Sequence, residues 1–448
     1  MNKFLRLFYL ISFTIFLTDC SFKNPGNFFE DNQKKLEKEI FDKNSKLVFS
    51  PQKTFKKEIS GEALKEIQEP LLTSSWIETN LIHSNLVPNL KYSNEKRLVH
   101  KSKKIGKNKF NLSNFNFEPL IFDNNIFLSD LNGSIYNFSA DKRKLNWKFN
   151  FYKKRYKNLP IFIKLRLMDN VLIVSDNLGY VYAINVNNGE INWAKNYGIP
   201  FNSNLKLIEF NIFLLNQDNK YFSIDAKDGS QKLSLETFPS FIKSIHETPI
   251  AIDNNNKNVY FITSNGEIYS INYLRNNINW FFNFSLSNNT DSDLFFSSPL
   301  VLKNNSIFFS SSVSTYSIDA TTGAIKWALP FSTHLRPIVS DNYVFLASKN
   351  GFFLNLDLNT GEAIWSKDIF KNKKKFNQKK IGDIVSLLLV SDQILAITSK
   401  GFFVFIDYRS GKVLNYTKAS KAGFFSGPSV VNEKIYILDK KMRLLVFN

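Results

Sequence analysis

The chain has 448 residues and is 15% aromatic, with 45 Phe and 17 Tyr, a composition that favours strands over helices and permits a large core. Its formal charge is +19, from 58 Lys plus Arg against 39 Asp plus Glu, but the basic residues are spread through loops without forming one stripe, so nucleic acid is not the partner they imply. A single cysteine excludes an intrachain disulfide, and the four histidines, His83, His100, His246 and His334, are scattered without metal-ligand spacing.

Residues 1–19 read as an export signal: Lys3 and Arg6 precede an apolar run from Leu7 to Leu17 that is too short to span a bilayer. Cys20 follows directly, where it has no core to enter. "LTDC" resembles the lipobox of bacterial lipoproteins, with Leu17 in its place. The resemblance implies acylation of Cys20, palmitate included, and, with Ser21 instead of Asp behind it, sorting to the outer membrane of a Gram-negative bacterium.

Residues 20–95 read as a lipidated N-terminus and a mostly irregular linker, polar and without period, with short helical candidates at 30–46 and 59–68. Trp76, in "SSWIETN", belongs to no repeat. Three dense basic runs, 101–109, 152–157 and 371–380, read either as solvated loops or as contacts with acidic lipid headgroups.

From residue 96 onward one phrase returns. "GYVYAINVNNGEINW" (179–193) has counterparts at 133–147, 220–233, 266–280, 313–327, 351–365 and 401–415. The equivalent positions Asn185, Asp225, Asn272, Asp319, Asp357 and Asp407 are 40, 47, 47, 38 and 50 residues apart, the period of a repeat fold. "YVYAINV" and "FFLNLDL" alternate with the period of two that marks strands. Each unit carries two further strands upstream, such as "RPIVS" and "NYVFLAS", and four antiparallel strands per unit make a propeller blade. Seven units run from about residue 118 to 417, and an eighth ends one strand short. An open seam would expose a raw sheet edge, so the missing strand is expected from 96–106, with His100 at the register position elsewhere held by tryptophan. The expected fold is all-β, an eight-bladed β-propeller of four-stranded antiparallel blades over 96–448, closed by an N-terminal strand.

Trp147, Trp193, Trp280, Trp327 and Trp365 share that register position, and Leu233 and Asn415 fill it in two other units. Neighbouring blades diverge away from the axis, and a large flat side chain there fills the wedge, with an indole N–H free to meet a backbone acceptor. These five are read as blade-docking residues, not as a cofactor stripe.

The repeat, G-x-x-Y-x-I-D-x-x-T-G-x-x-x-W, resembles that of the quinoprotein-type propellers over residues 96–448. One branch of that family comprises quinone dehydrogenases, whose chemistry needs an adjacent cysteine pair, an Asp base and a calcium site; the only cysteine here is Cys20, at the lipobox. No nucleophile elbow, P-loop or dinucleotide fingerprint is present either. The other branch, the BamB family, comprises lipid-anchored scaffolds of the machinery that assembles β-barrels in the outer membrane, and it resembles this chain in signal, length and layout. That resemblance implies a non-catalytic protein at the periplasmic face of the outer membrane, without metal or cofactor. Its implied partners are the periplasmic domains of the central barrel-assembly protein, together with unfolded barrel precursors. It also implies a partner surface of an aliphatic and basic loop before one blade, here Phe241, Ile242 and Lys243, and an acidic pair before the next, here Asp291 and Asp293. Two other readings stay open: a quinone-dependent dehydrogenase-like propeller, and a periplasmic propeller that binds polysaccharide or peptidoglycan.

Overall fold

The computed structural model describes residues 54–448, apart from 109–117, 153–154, 157, 240–245, 285–295, 372–373 and 375. It contains eight four-stranded antiparallel sheets, seven of them built from consecutive strands, and is an eight-bladed β-propeller. Blades 1 to 7 occupy residues 120–150, 163–196, 206–235, 250–283, 301–329, 338–368 and 384–418. Blade 8 takes three strands from 429–447 and its outermost from Leu98–Lys101. The closing strand pairs Leu98 with Phe447 and Lys101 with Leu445, and the amides of Arg97 and Asn448 each donate to the other's carbonyl. The seam is thereby hydrogen-bonded like any other blade, with no raw edge left at the ring closure.

First strands of adjacent blades touch one another, which places them innermost. Middle strands are packed by blades on both sides and are apolar almost throughout: every residue of Tyr343–Ala347 is buried. Fourth strands face outward and are the most exposed, as in Ile191–Asn196, where only Trp193 is partly buried. Every third-to-fourth hairpin of blades 1 to 7 shifts register next to the tryptophan position, as between Ser270 and Ile271 beside Trp280. Such a bulge bends the outer strand and strengthens its twist.

The tryptophans lock each blade to the next. The indole N–H groups of Trp147, Trp193, Trp280, Trp327 and Trp365 donate to the carbonyls of Val186, Ala226, Ala320, Leu358 and Tyr408, at 2.7–3.1 Å. Each ring also lies against a turn glycine of the following blade: a Cβ on Gly189, Gly229, Gly323, Gly361 or Gly411 would come within 2.5–2.9 Å of the indole. These glycines have φ of +67 to +76°, so both the conformation and the close approach call for glycine. Where the preceding blade offers His100 or Leu233 instead, the same turn position is held by Arg143 or Asn276, also left-handed but with a side chain.

Because each blade is a meander, first-to-second and third-to-fourth turns share one face of the ring, the turn face. Second-to-third hairpins and blade-to-blade connections share the other, the connection face, where the one-turn helix α1 (Gln378–Ile381) sits between blades 6 and 7. Among the described residues no helix is long and apolar enough to cross a membrane.

Residues 59–68 form no helical turn. Ile59 instead exchanges hydrogen bonds with Ser366 on the outer edge of blade 6, and Gly61 lies so close to the Ile364 carbonyl that a Cβ would be 2.0 Å from its oxygen. Edge pairing meets the backbone groups that a helical turn would have satisfied internally.

Candidate functional site

The described part of the 20–95 segment has no strand of its own before Leu98, yet it ends up at the centre of the ring. After the edge of blade 6 the chain crosses the turn face, where the Tyr343 hydroxyl accepts from the Lys65 amide at 2.7 Å. Residues 73–92 then fill the axis and meet the inner strand or its flank in all eight blades. Trp76 and Ile121 exchange backbone hydrogen bonds in blade 1, both 2.7 Å. The amides of Leu167, Ile252 and Leu302 in blades 2, 4 and 5 donate to the carbonyls of Ile77, His83 and Ser84. Lys206 of blade 3 donates to the carbonyls of Thr79 and Ile82, Arg336 beside blade 6 to that of Asn85. Leu90 donates to Leu389 in blade 7, and Asn432 of blade 8 donates to Thr73. Inner strands would otherwise present unpaired backbone groups to the channel; here the chain's own segment satisfies many of them.

Polar side chains hold this segment. Asn85, with φ +57°, donates from Nδ2 to the carbonyls of Ile250 and Leu300 at 2.9 and 2.8 Å, and its Oδ1 accepts from Asn80. Glu78, 1% exposed, lies 3.3 Å from Arg166 Nε and 3.7 Å from Lys206 Nζ. Burial pulls the Lys206 ammonium below its ordinary value, and Glu78 opposes that pull. Burial likewise brings Arg336 down to about 10, with Glu118 opposing, and Lys164, which pairs with Glu247, down to about 8. The axis is therefore a cationic lining whose acids are engaged by their own neighbours.

Phe241, Ile242, Lys243, Asp291 and Asp293 lie outside the described residues, as does Cys20. The residues that follow the two loops come together: the His246 and Phe296 ring centroids are 5.1 Å apart, and His334, ahead of blade 6, lies 3.7 Å from Phe296. Burial and the neighbouring His246 lower the His334 pKa. The helical candidate at 30–46 also lies outside the described residues.

Trp76, Glu78, Arg166 and Lys206 escaped the reading of the repeats. Their signal was present as cations inside apolar first strands, two in "IKLRLM" and one in "LKLI", and as a tryptophan in an otherwise polar stretch.

The family described as outer membrane protein assembly factor BamB matches residues 131–367 and 329–448. The chain belongs to the BamB family. The BamB of Shewanella oneidensis is 24% identical over 148 residues, 33% of this chain and 35% of that protein, so the alignment spans about a third of that relative's length. Among solved structures, BamB from Moraxella catarrhalis superposes with a TM-score of 0.61 at 12% identity, covering 79% of this chain and 99% of that one. The quinohemoprotein alcohol dehydrogenase from Comamonas testosteroni gives 0.61 at 11% identity, covering 83% and 80%. At such identities the likeness speaks for the fold alone. The dehydrogenase reading also fits the residues poorly. Calcium takes six to eight oxygen ligands, whereas the axis here gathers lysine and arginine around paired carboxylates, and the described residues hold no group of three His, Cys, Asp or Glu able to bind a metal.

Proposed function

We propose that this BamB-family chain is a non-catalytic scaffold of outer-membrane β-barrel assembly, anchored by a lipid on Cys20 to the periplasmic face of the outer membrane. It binds the periplasmic domains of the central barrel component and aids insertion of barrel precursors. The observation that carries the reading is the family match over 131–448, which takes in all of blades 2 to 7, part of blade 1 and three of the four strands of blade 8. The filled axis supports it, because residues 73–92 occupy the centre of the ring and leave the rims and faces as the surfaces open to partners.

The partner surface is assigned to the connection face, at Phe241, Ile242 and Lys243 with Asp291 and Asp293. The packing of His246 against Phe296 supports that assignment, since it sets the ends of both loops side by side. A rigid ring offers such loops at fixed spacing, and its blade edges can add an extended strand of a partner. A membrane anchor raises the local concentration of both.

The experiment is charge reversal at the two loops together, Lys243→Glu with Asp293→Lys. Co-purification of the barrel component from solubilised membranes should fall at least tenfold while the variant stays folded. Unchanged recovery would reject the surface.

A further inference from the structure

The positive charge of the chain is not spread evenly over the ring. The connection face gathers it over blades 6, 7 and 8. Lys349, Lys400, Lys440 and Lys441 stand in the second-to-third hairpins of these three successive blades. Lys379, Lys380 and Lys421 stand in the two connections between them, and Lys418 ends the fourth strand of blade 7. All but Lys440 are exposed, and none of the eight has an ion pair among the described residues. They form one surface: the Lys400 ammonium donates to the Lys379 carbonyl, the Lys418 ammonium to the Lys400 carbonyl at 2.6 Å, and the Lys440 amide to Gly423. Lys418 and Lys440 lie over the rings of Phe402 and Phe425, at 4.2 and 5.2 Å. Of the acids nearby, Asp439 is buried against Arg443, and Asp383, exposed and held by Gln378, offsets only part of the charge of the eight lysines, acting on Lys440.

The same face continues in this character at the connection from blade 8 to blade 1, where Lys103, Lys104 and Lys107 are exposed. By contrast, the first-to-second turns of the opposite face carry Asp169, Glu209, Asp341, Asp392 and Glu433.

We infer that the lysine surface of blades 6 to 8 docks on the anionic phospholipid headgroups of the leaflet that holds the Cys20 anchor. The inference rests on the lipid-anchored reading above. Two observations choose a membrane as the occupant. The described chain begins at Thr54, and the Phe55 amide is bonded to Pro330, at the connection from blade 5 to blade 6 on this same face. Only 33 residues lie between Cys20 and Thr54, so the reach is at most about 115 Å of fully extended chain at about 3.4 Å per residue step. The charge is also carried by lysine on many separate tips, compact and mobile, which suits a fluid layer of headgroups; arginine forks would suit fixed bidentate recognition. The loops assigned to the protein partner precede blades 4 and 5, so lipid and partner take different sectors of one face.

Each lysine held near an anionic surface is worth about fivefold in partition. The test uses the full chain and vesicles of phosphatidylcholine alone or with about a third phosphatidylglycerol, at about 0.1 M salt. Reversal of Lys400, Lys418, Lys421 and Lys441 to glutamate should lower partition to the anionic vesicles more than tenfold and leave partition to neutral vesicles unchanged. Reversal of Lys142, Lys227, Lys412 and Lys434, on the turn face, should leave both unchanged. Every variant keeps the same N-terminus, so its contribution cancels. Equal partition of the unaltered chain to both vesicle types would overturn the inference, and so would an equal loss from both reversal sets. A Lys→Gln set replaces the glutamates if these unfold the ring. Incorporation of labelled palmitate at Cys20, measured separately, tells a failure of the lysine surface from a failure of the anchor.

Discussion

The contact between each tryptophan and the next blade's glycine can be weighed by a double substitution at Trp365 and Gly411. Trp365 is fully buried, donates to the Tyr408 carbonyl at 2.9 Å and lies where a Cβ on Gly411 would be 2.7 Å from its Cε3. Gly411→Ala meets two costs: a left-handed backbone, φ +67°, worth about 1–2 kcal/mol for a residue with a side chain, and overpacking against the indole, worth about 1–3 kcal/mol. Trp365→Ala alone should cost about 3–5 kcal/mol. In the absence of the indole the second cost disappears, so Gly411→Ala should then cost only its backbone share, a coupling of about 1–3 kcal/mol. Urea unfolding followed by tryptophan-independent circular dichroism measures all four chains. Simple additivity of the two substitutions would refute the wedge.

Other consequences follow from the axis and from one buried acid. Glu78→Gln removes the carboxylate that pairs with Arg166 and Lys206 in a buried site and should cost about 3–5 kcal/mol, with part recovered when Lys206→Met is added; no loss in thermal unfolding would mean that the pair is not formed. Asn85→Ala strips the Ile250 and Leu300 carbonyls of a shared donor and should cost about 1–3 kcal/mol, with faster hydrogen exchange confined to the axial segment and its neighbours. Burial pushes Asp176 up to about 7, although the amides of Leu178 and Tyr180 bond its carboxylate and pull the other way. An unfolded aspartate titrates near ~4, so the folded chain holds the extra proton between about pH 4 and 7. Its stabilising share is full below that window and is lost as pH rises through about 7. Asp176→Asn should flatten this decline in a pH series of unfolding midpoints; an unchanged slope would assign it elsewhere.

The ring was legible because a propeller writes its geometry once per blade. The 38 to 50 residue period, the alternation in the third strands and the recurring tryptophan each reflect a constraint that every blade must meet. The closing strand was legible for a related reason: a blade that stops after "RLLVFN" leaves an edge that something must cover, and 96–106 supplied the pattern.

The axial segment had no such signature. Its hydrogen bonds run from irregular backbone to the inner strand or its flank in eight different blades, so no period marks it, and Asn80, Asn85 and Asn89 read as linker residues although all three are buried. What it shares with the ring is complementarity, visible only once Arg166 and Lys206 are seen to point at Glu78. Residues 59–68 show the same limit on a smaller scale. "EALKEIQ" has good helix formers, yet Ile59 just before it pairs at the edge of blade 6, and the amides of Ala63 and Lys65 donate to the Arg409 carbonyl and the Tyr343 hydroxyl of the ring. The gathering of lysines was hidden for the opposite reason: they lie in connections far apart in sequence, and only closure of the ring brings blades 6, 7 and 8 to one side.

The proposed scaffold role is tested most directly by recovering the full chain from detergent-solubilised membranes through an affinity tag and weighing what comes with it. The account predicts a large outer-membrane β-barrel protein with periplasmic repeat domains in near-equal amount. A chain recovered without such a barrel, or one that carries a quinone and turns over an alcohol, would contradict it.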